Sequence, residues 1–185
     1  MATATDLLIW TLAVFTALLL FHAAAHKLLD TARFEGILWD YRLAPELAIP
    51  AVALLLPLAE FAVGSALLIP TFQDQAFMAA AALLALYAVA MGVNLVRGRS
   101  EISCGCGGPP TPISLALVLR NLALCTCLLS SAALASSQPS WLVILAGAAA
   151  GCLAFVCVAA AGQALANRRR MVARGGVALV SGGRI

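Results

Sequence analysis

Five stretches of about twenty apolar residues recur along this chain, and that is the length a helix needs to cross the hydrocarbon of a bilayer. They run Asp6 to Ala25, Leu47 to Ile69, Ala76 to Val96, Ile113 to Leu134 and Trp141 to Ala164. Backbone in lipid must satisfy its N–H and C=O groups internally, so the runs predict helices. Composition agrees, with 63% of residues hydrophobic and 10% charged. The expected fold is an all-α integral membrane protein: a bundle of five transmembrane helices, four forming a core with one added, over residues 1–166. A basic, flexible tail is expected at 167–185. The first span ends in Ala23-Ala24-Ala25 like a secretory leader, but no positive segment precedes it and its apolar stretch is too long, so it reads as a retained helix.

Basic residues orient the bundle. Lys27, Arg33 and Arg42 lie between the first two spans, Arg97 and Arg99 between the third and fourth, and Arg168, Arg169, Arg170, Arg174 and Arg184 in the tail. The segments before the first span, at Thr71 to Gln75 and at Ala135 to Ser140, carry no Lys or Arg. The positive-inside rule then puts the N-terminus out and the C-terminus in. The connection from Lys27 to Glu46 mixes Phe34, Ile37, Leu38, Trp39 and Tyr41 with charges, as a helix lying in the interface does. The arginine run reads as a topological anchor touching anionic lipid, and no nucleic-acid partner is expected.

One polar loop interrupts the apolar helices: Cys104-Gly105-Cys106-Gly107-Gly108-Pro109-Pro110. A thiol becomes nucleophilic where it is partly exposed and close to positive charge or a helix N-terminus. Arg97 and Arg99 precede the loop, and Thr111-Pro112 leads into the next helix. A disulfide between Cys104 and Cys106 would close a small strained ring, and strained disulfides are the oxidising, exchangeable ones. Two other readings stand beside it. One is a static clip, although so short a loop gains little from closure. The other is half of a zinc or copper(I) site, although no second Cys or His pair stands at ligand spacing, so neither a metal nor a cofactor is assigned. Cys125 and Cys127 in the fourth span and Cys152 and Cys157 in the fifth read as small apolar packing residues, with a buried thiol relay as the alternative.

Ionisable groups inside spans mark function or pairing. Glu60 falls near the middle of the second span and Arg120 about two turns into the fourth, so an ion pair between them is expected. His22 and His26 lie one turn apart and can face one cavity. Asn94 and Asn121 suit polar contacts between helices. Motifs for phosphate-binding loops, zinc proteases and serine nucleophiles are missing from the sequence.

His26-Lys27-Leu28, Tyr41-Arg42-Leu43-Ala44-Pro45, Pro57-Leu58-Ala59-Glu60, Cys104-Gly105-Cys106 and Leu119-Arg120-Asn121 occur in this order. The ordered set resembles the MauE family of methylamine utilisation membrane proteins, related to the DoxX-like families, over the first four spans. Many MauE proteins carry an aromatic residue after the second cysteine, where this chain has Gly107 and Gly108. The resemblance implies a multi-pass protein of the bacterial inner membrane, needed for maturation of methylamine dehydrogenase. The small subunit of that enzyme is exported, and carries many disulfides and a tryptophan-derived quinone. It also implies a thioredoxin-like periplasmic partner, MauD. On this reading Cys104 and Cys106 carry thiol–disulfide exchange, with Glu60, Arg120, Asn121, His26 and Lys27 as a supporting polar site. A non-catalytic scaffold for MauD or the exported subunit is the second reading, and a quinone-linked thiol oxidase the third. The sequence reveals no quinone pocket.

Overall fold

The computed structural model describes residues 4–106, 111–134 and 140–181. Gly107 to Pro110, most of the expected outer loop at 135–139, and Arg184 lie outside the described residues. The helices are α1 (Ala4–Leu29), α2 (Thr31–Tyr41), α3 (Ile49–Leu67), α4 (Gln73–Val96), α5 (Leu115–Leu134) and α6 (Trp141–Ser181), with single 3₁₀ turns at Glu46–Ala48 and Pro70–Phe72. All except α2 are long and apolar enough to cross a membrane. Among the described residues there is no β-strand, only an isolated antiparallel bridge between Ser103 and Pro112. The chain belongs to the all-α membrane class its hydropathy predicts.

Packing follows small residues. Ala13 and Ala17 of α1 and Ala76, Ala80 and Ala81 of α4 are buried together with Leu20, Leu67, Phe77 and Leu128, so α1, α3, α4 and α5 share one core. Helix α1 packs along α3, and α5 along α4. Gln73 donates from Nε2 to the Leu67 carbonyl at 3.2 Å and ties the turn between α3 and α4. Helix α6 lies along α1, making the fifth helix an addition to a core of four.

The α1–α6 contact rests on Gly147 and Gly151, four residues apart and so on one face of α6. A Cβ at Gly147 would stand 2.5 Å from the Trp10 Cβ, and one at Gly151 would stand 2.8 Å from the Thr11 carbonyl oxygen. These neighbours are backbone or the first side-chain carbon, so they cannot give way.

Helix α2 falls within the mixed apolar and charged connection that follows the first span. Asp30 caps it by accepting from the Arg33 N–H at 3.1 Å, and Arg42 ends it in the left-handed region at φ 51°. Phe34 and Tyr41 are buried beneath it, whereas Trp39 is exposed.

Replacing Gly147 or Gly151 by Leu is expected to push α6 off α1 and to cost about 1–3 kcal/mol, the usual range for overpacking. Thermal melting of the detergent-solubilised protein measures it. Gly162→Leu, at a position with no neighbouring atom within 4 Å, leaves the melting unchanged.

Candidate functional site

A lysine deep in an apolar bundle needs an anion close by, and Lys27 finds one on the neighbouring helix. Its Nζ lies 2.5 Å from Glu60 Oε1, with Lys27 4% and Glu60 0% exposed. Tyr87 of α4 donates its hydroxyl to the same Oε1 at 2.6 Å and accepts from Lys27 at 3.2 Å. The ammonium also sits 5.1 Å from the Phe34 ring centroid and 4.7 Å from that of Tyr87. One ion pair therefore joins α1, α2, α3 and α4.

This corrects two expectations. Glu60 does not pair with Arg120, whose guanidinium donates instead to Asn121 Oδ1 at 3.4 Å. The reason is packing order: α3 lies against α1, so the cation within reach of Glu60 is on α1, whereas α5 lies against α4. Nor does Lys27 stand free between the spans, because α1 continues to Leu29 and turns this side chain inward.

The thiol loop is held against this cluster by its own backbone. The Cys104 N–H donates to the Thr111 carbonyl and the Ile113 N–H to the Ile102 carbonyl, both at 2.9 Å, pairing the backbone that enters the loop with the backbone that leaves it. Ile102 and Ile113 are buried beside Tyr41 and Met91. Gly105 has φ 67°, and a Cβ there would meet Ile37 at 3.5 Å and Phe34 at 3.6 Å. The left-handed backbone explains why glycine separates the cysteines. The Tyr41 hydroxyl donates to the Cys104 carbonyl at 3.4 Å.

The two half-buried thiols are electrostatically unequal. The Cys106 N–H donates to Cys104 Sγ at 3.2 Å, and the Cys106 thiol points to the Cys104 carbonyl at 3.6 Å. Cys104 is pulled down to about 7, chiefly by a hydrogen bond from the Cys106 side chain; burial opposes this, while the Cys106 N–H, Arg120 and Lys27 add to it. Cys106 is pushed well up by the same bond, by burial and by the charge of Cys104. Burial and the two thiols also hold Tyr41 above the usual phenol range. The positive charges that act on the pair are thus Arg120 and Lys27. Arg99, expected to serve from the loop's approach, donates to Asn94 Oδ1 at 3.3 Å.

Two cavities meet at the thiols. A smaller one, about 160 Å³, is lined by His26, Lys27, Asp30 and Arg33 as well as by Cys104 and Cys106, with Leu29, Phe34 and Ile37 as its apolar wall. A larger one of about 370 Å³ extends among α1 to α5 and reaches Glu60. His22 and His26 stack edge to face at 4.6 Å, and His22 meets Phe155 of α6 at 5.9 Å, so neither histidine lines the larger cavity. Cys127, Cys152 and Cys157 are exposed, and only Cys125 packs against the core. Because α5 lies on α4 and α6 on α1, the helices bearing these cysteines share no packing face, and a thiol relay between them finds no support.

The model of the family described as Methylamine utilisation protein MauE matches residues 5–136, ending before α6. The chain is 43% identical over 120 residues to Methylamine utilization protein MauE of Paracoccus denitrificans, covering 64% of each chain. It is 41% identical over 127 residues to the protein of that name in Paracoccus versutus, covering 68% of each. With that of Methylorubrum extorquens it shares 34% identity over 137 residues, 73% of this chain and 69% of the relative. The chain thus spans about two thirds of the length of these relatives. No solved structure matches it.

Alkylation by iodoacetamide, followed residue by residue by mass spectrometry, is expected to report a Cys104 thiolate that forms as pH rises through about 7, while Cys106 stays protonated well above that. Arg120→Leu moves the Cys104 midpoint upward. Lys27→Met leaves Glu60 buried without its cation and costs about 3–5 kcal/mol in thermal unfolding, most of which the double change Lys27→Met with Glu60→Leu restores.

Proposed function

This chain belongs to the MauE family of methylamine utilisation proteins, and from that premise we propose that it supports maturation of methylamine dehydrogenase by thiol–disulfide exchange at Cys104 and Cys106. The observation that carries the reading is the asymmetry of the pair. Cys104 is the thiol that ionises near neutrality, and Cys106 lies next to it, still protonated and able to close a disulfide. A nucleophilic thiolate beside a resolving thiol is what exchange requires. The disulfide-rich small subunit is the end user, and a MauD-like thioredoxin-fold protein is the redox partner. Glu60, Lys27, Arg120, Asn121 and His26 support the thiols by charge and by position; metal ligation is no part of this reading.

The orientation we propose has the N-terminus outside and the C-terminus inside a bacterial inner membrane. The charge pattern supports it: the loop lies at the end of the bundle where Arg33, Arg42, Arg97, Arg99 and Arg168 lie. The thiols then face the cytoplasm, and electrons exchanged with an exported partner have to cross the bilayer, whose hydrocarbon is about 30 Å thick.

Replacing Cys104 or Cys106 by Ser is expected to abolish growth on methylamine and accumulation of active dehydrogenase while the protein stays in the membrane. Retained growth would establish a scaffold instead. In intact cells a membrane-permeant maleimide labels the loop and an impermeant one does not. Labelling by both would invert the orientation and permit direct exchange with the exported partner.

A further inference from the structure

The larger cavity has the form of a site for an amphiphile. Its walls are apolar, with Leu20, Leu56, Leu84, Met91 and Leu124 contributed by α1, α3, α4 and α5. Its polar groups are Lys27, Tyr41, Glu60, Tyr87, Arg120 and Asn121, and it is lined by both thiols. Glu60 stands eleven residues into α3, about 16 Å along that helix, so the cavity penetrates well into the membrane-spanning part of the bundle. At about 370 Å³ it falls within the usual range for small-molecule pockets, roughly 300–1,000 Å³.

The hydrogen bonding around Glu60 is incomplete in a way that specifies the occupant. Its Oε1 accepts from both Lys27 and Tyr87, whereas its Oε2 is buried with no partner among the described residues. A buried carboxylate oxygen without a donor is costly and is an acceptor for something that enters. Lys27 has three N–H groups, of which Glu60 and Tyr87 take two. The polar end thus has one acceptor and one donor to spare. A phosphate headgroup, an acceptor only, would meet the Lys27 donor and leave Glu60 Oε2 unmet, and an acyl chain alone would leave both groups unmet.

We propose that this cavity binds the ring of a membrane-soluble quinone, which takes two electrons and two protons from Cys104 and Cys106. The inference rests on the thiol-exchange reading of the same residues and adds the electron acceptor. The two S–H bonds are lost and one S–S bond forms; the two electrons and two protons convert both quinone carbonyls to hydroxyls. The spare Lys27 N–H meets a quinone carbonyl, and Glu60 Oε2 accepts from a hydroxyl of the quinol. Chemistry favours this class of acceptor on two counts. The three-residue disulfide ring is strained, so its formation demands a strong oxidant. None of Cys125, Cys127, Cys152 and Cys157 lines the cavity, so no second disulfide of this chain stands there to take the electrons, whereas a quinone reaches it from the lipid. A quinol leaves into the bilayer, carrying electrons away from the loop without a thiol on each face.

The test uses the full chain in lipid nanodiscs, reduced with dithiothreitol, freed of reductant and mixed with a benzoquinone bearing a decyl tail. Expected are loss of quinone absorbance at one quinol per chain, disappearance of both loop thiols, and a raised melting temperature. Cys104→Ser keeps the melting shift and forms no quinol. Leu124→Trp, which fills the cavity, weakens binding roughly tenfold or more while exchange with glutathione disulfide continues. The quinone proposal is overturned if the wild-type chain exchanges with glutathione disulfide but neither binds nor reduces the quinone, or if the Cys104→Ser chain reduces it at the wild-type rate. Thiols inert toward both reagents would overturn the exchange reading along with it.

Discussion

The ion pair between Lys27 and Glu60 is the constraint around which the rest of the site is arranged. Two charges taken out of water cost several kcal/mol each, and in a membrane-spanning bundle there is no solvent to which either can retreat. Each is tolerable only while the other is in place. The pair therefore fixes α1 against α3, and the Tyr87 hydroxyl brings α4 to the same point. Because Lys27 also faces the Phe34 ring, α2 is held over the end of the bundle, and α2 is the surface on which the thiol loop rests.

From that arrangement the chemistry follows locally. Gly105 lets the backbone turn between the cysteines while lying against Phe34 and Ile37, so both cysteines line the smaller and the larger cavity alike. A hydrogen bond from the Cys106 side chain, then the Cys106 N–H and the positive charges of Arg120 and Lys27, stabilise a thiolate on Cys104, and that same bond, with burial, keeps the proton on Cys106. A pair so divided needs no metal to make one sulfur reactive. The family to which the chain belongs supplies the context, methylamine utilisation, and the geometry supplies a reason for two cysteines with a single glycine between them.

How much of this was legible in the sequence depended on range. The spans and the loop are local features, and apolar runs and Cys-Gly-Cys reveal them directly. The partner of Glu60 is not local. From the residues alone Arg120 is the natural choice because it too sits inside a span and Lys27 is one more residue of the positive-inside pattern; only the family resemblance puts Lys27 in one polar site with Glu60, without pairing them. Only the packing order, with α1 beside α3 and α5 beside α4, decides between them. Gly147 and Gly151 carried a readable signal in their four-residue spacing, yet spacing does not say which helix comes close, and Trp10 and Thr11 answer that only in three dimensions. The larger cavity was invisible for the same reason: its walls come from four spanning helices and α2, and no stretch of the chain has more than a few of them.

The measurement that bears most directly on the central claim is acid-quenched thiol trapping of Cys104 and Cys106 in cells growing on methylamine, with the MauD-like partner present and deleted. If the pair is the working redox group, part of the population is trapped as the disulfide, and the fraction changes when the partner is lost. A pair that is fully reduced, or unchanged in proportion, in both strains contradicts the account and leaves the cysteines a structural role.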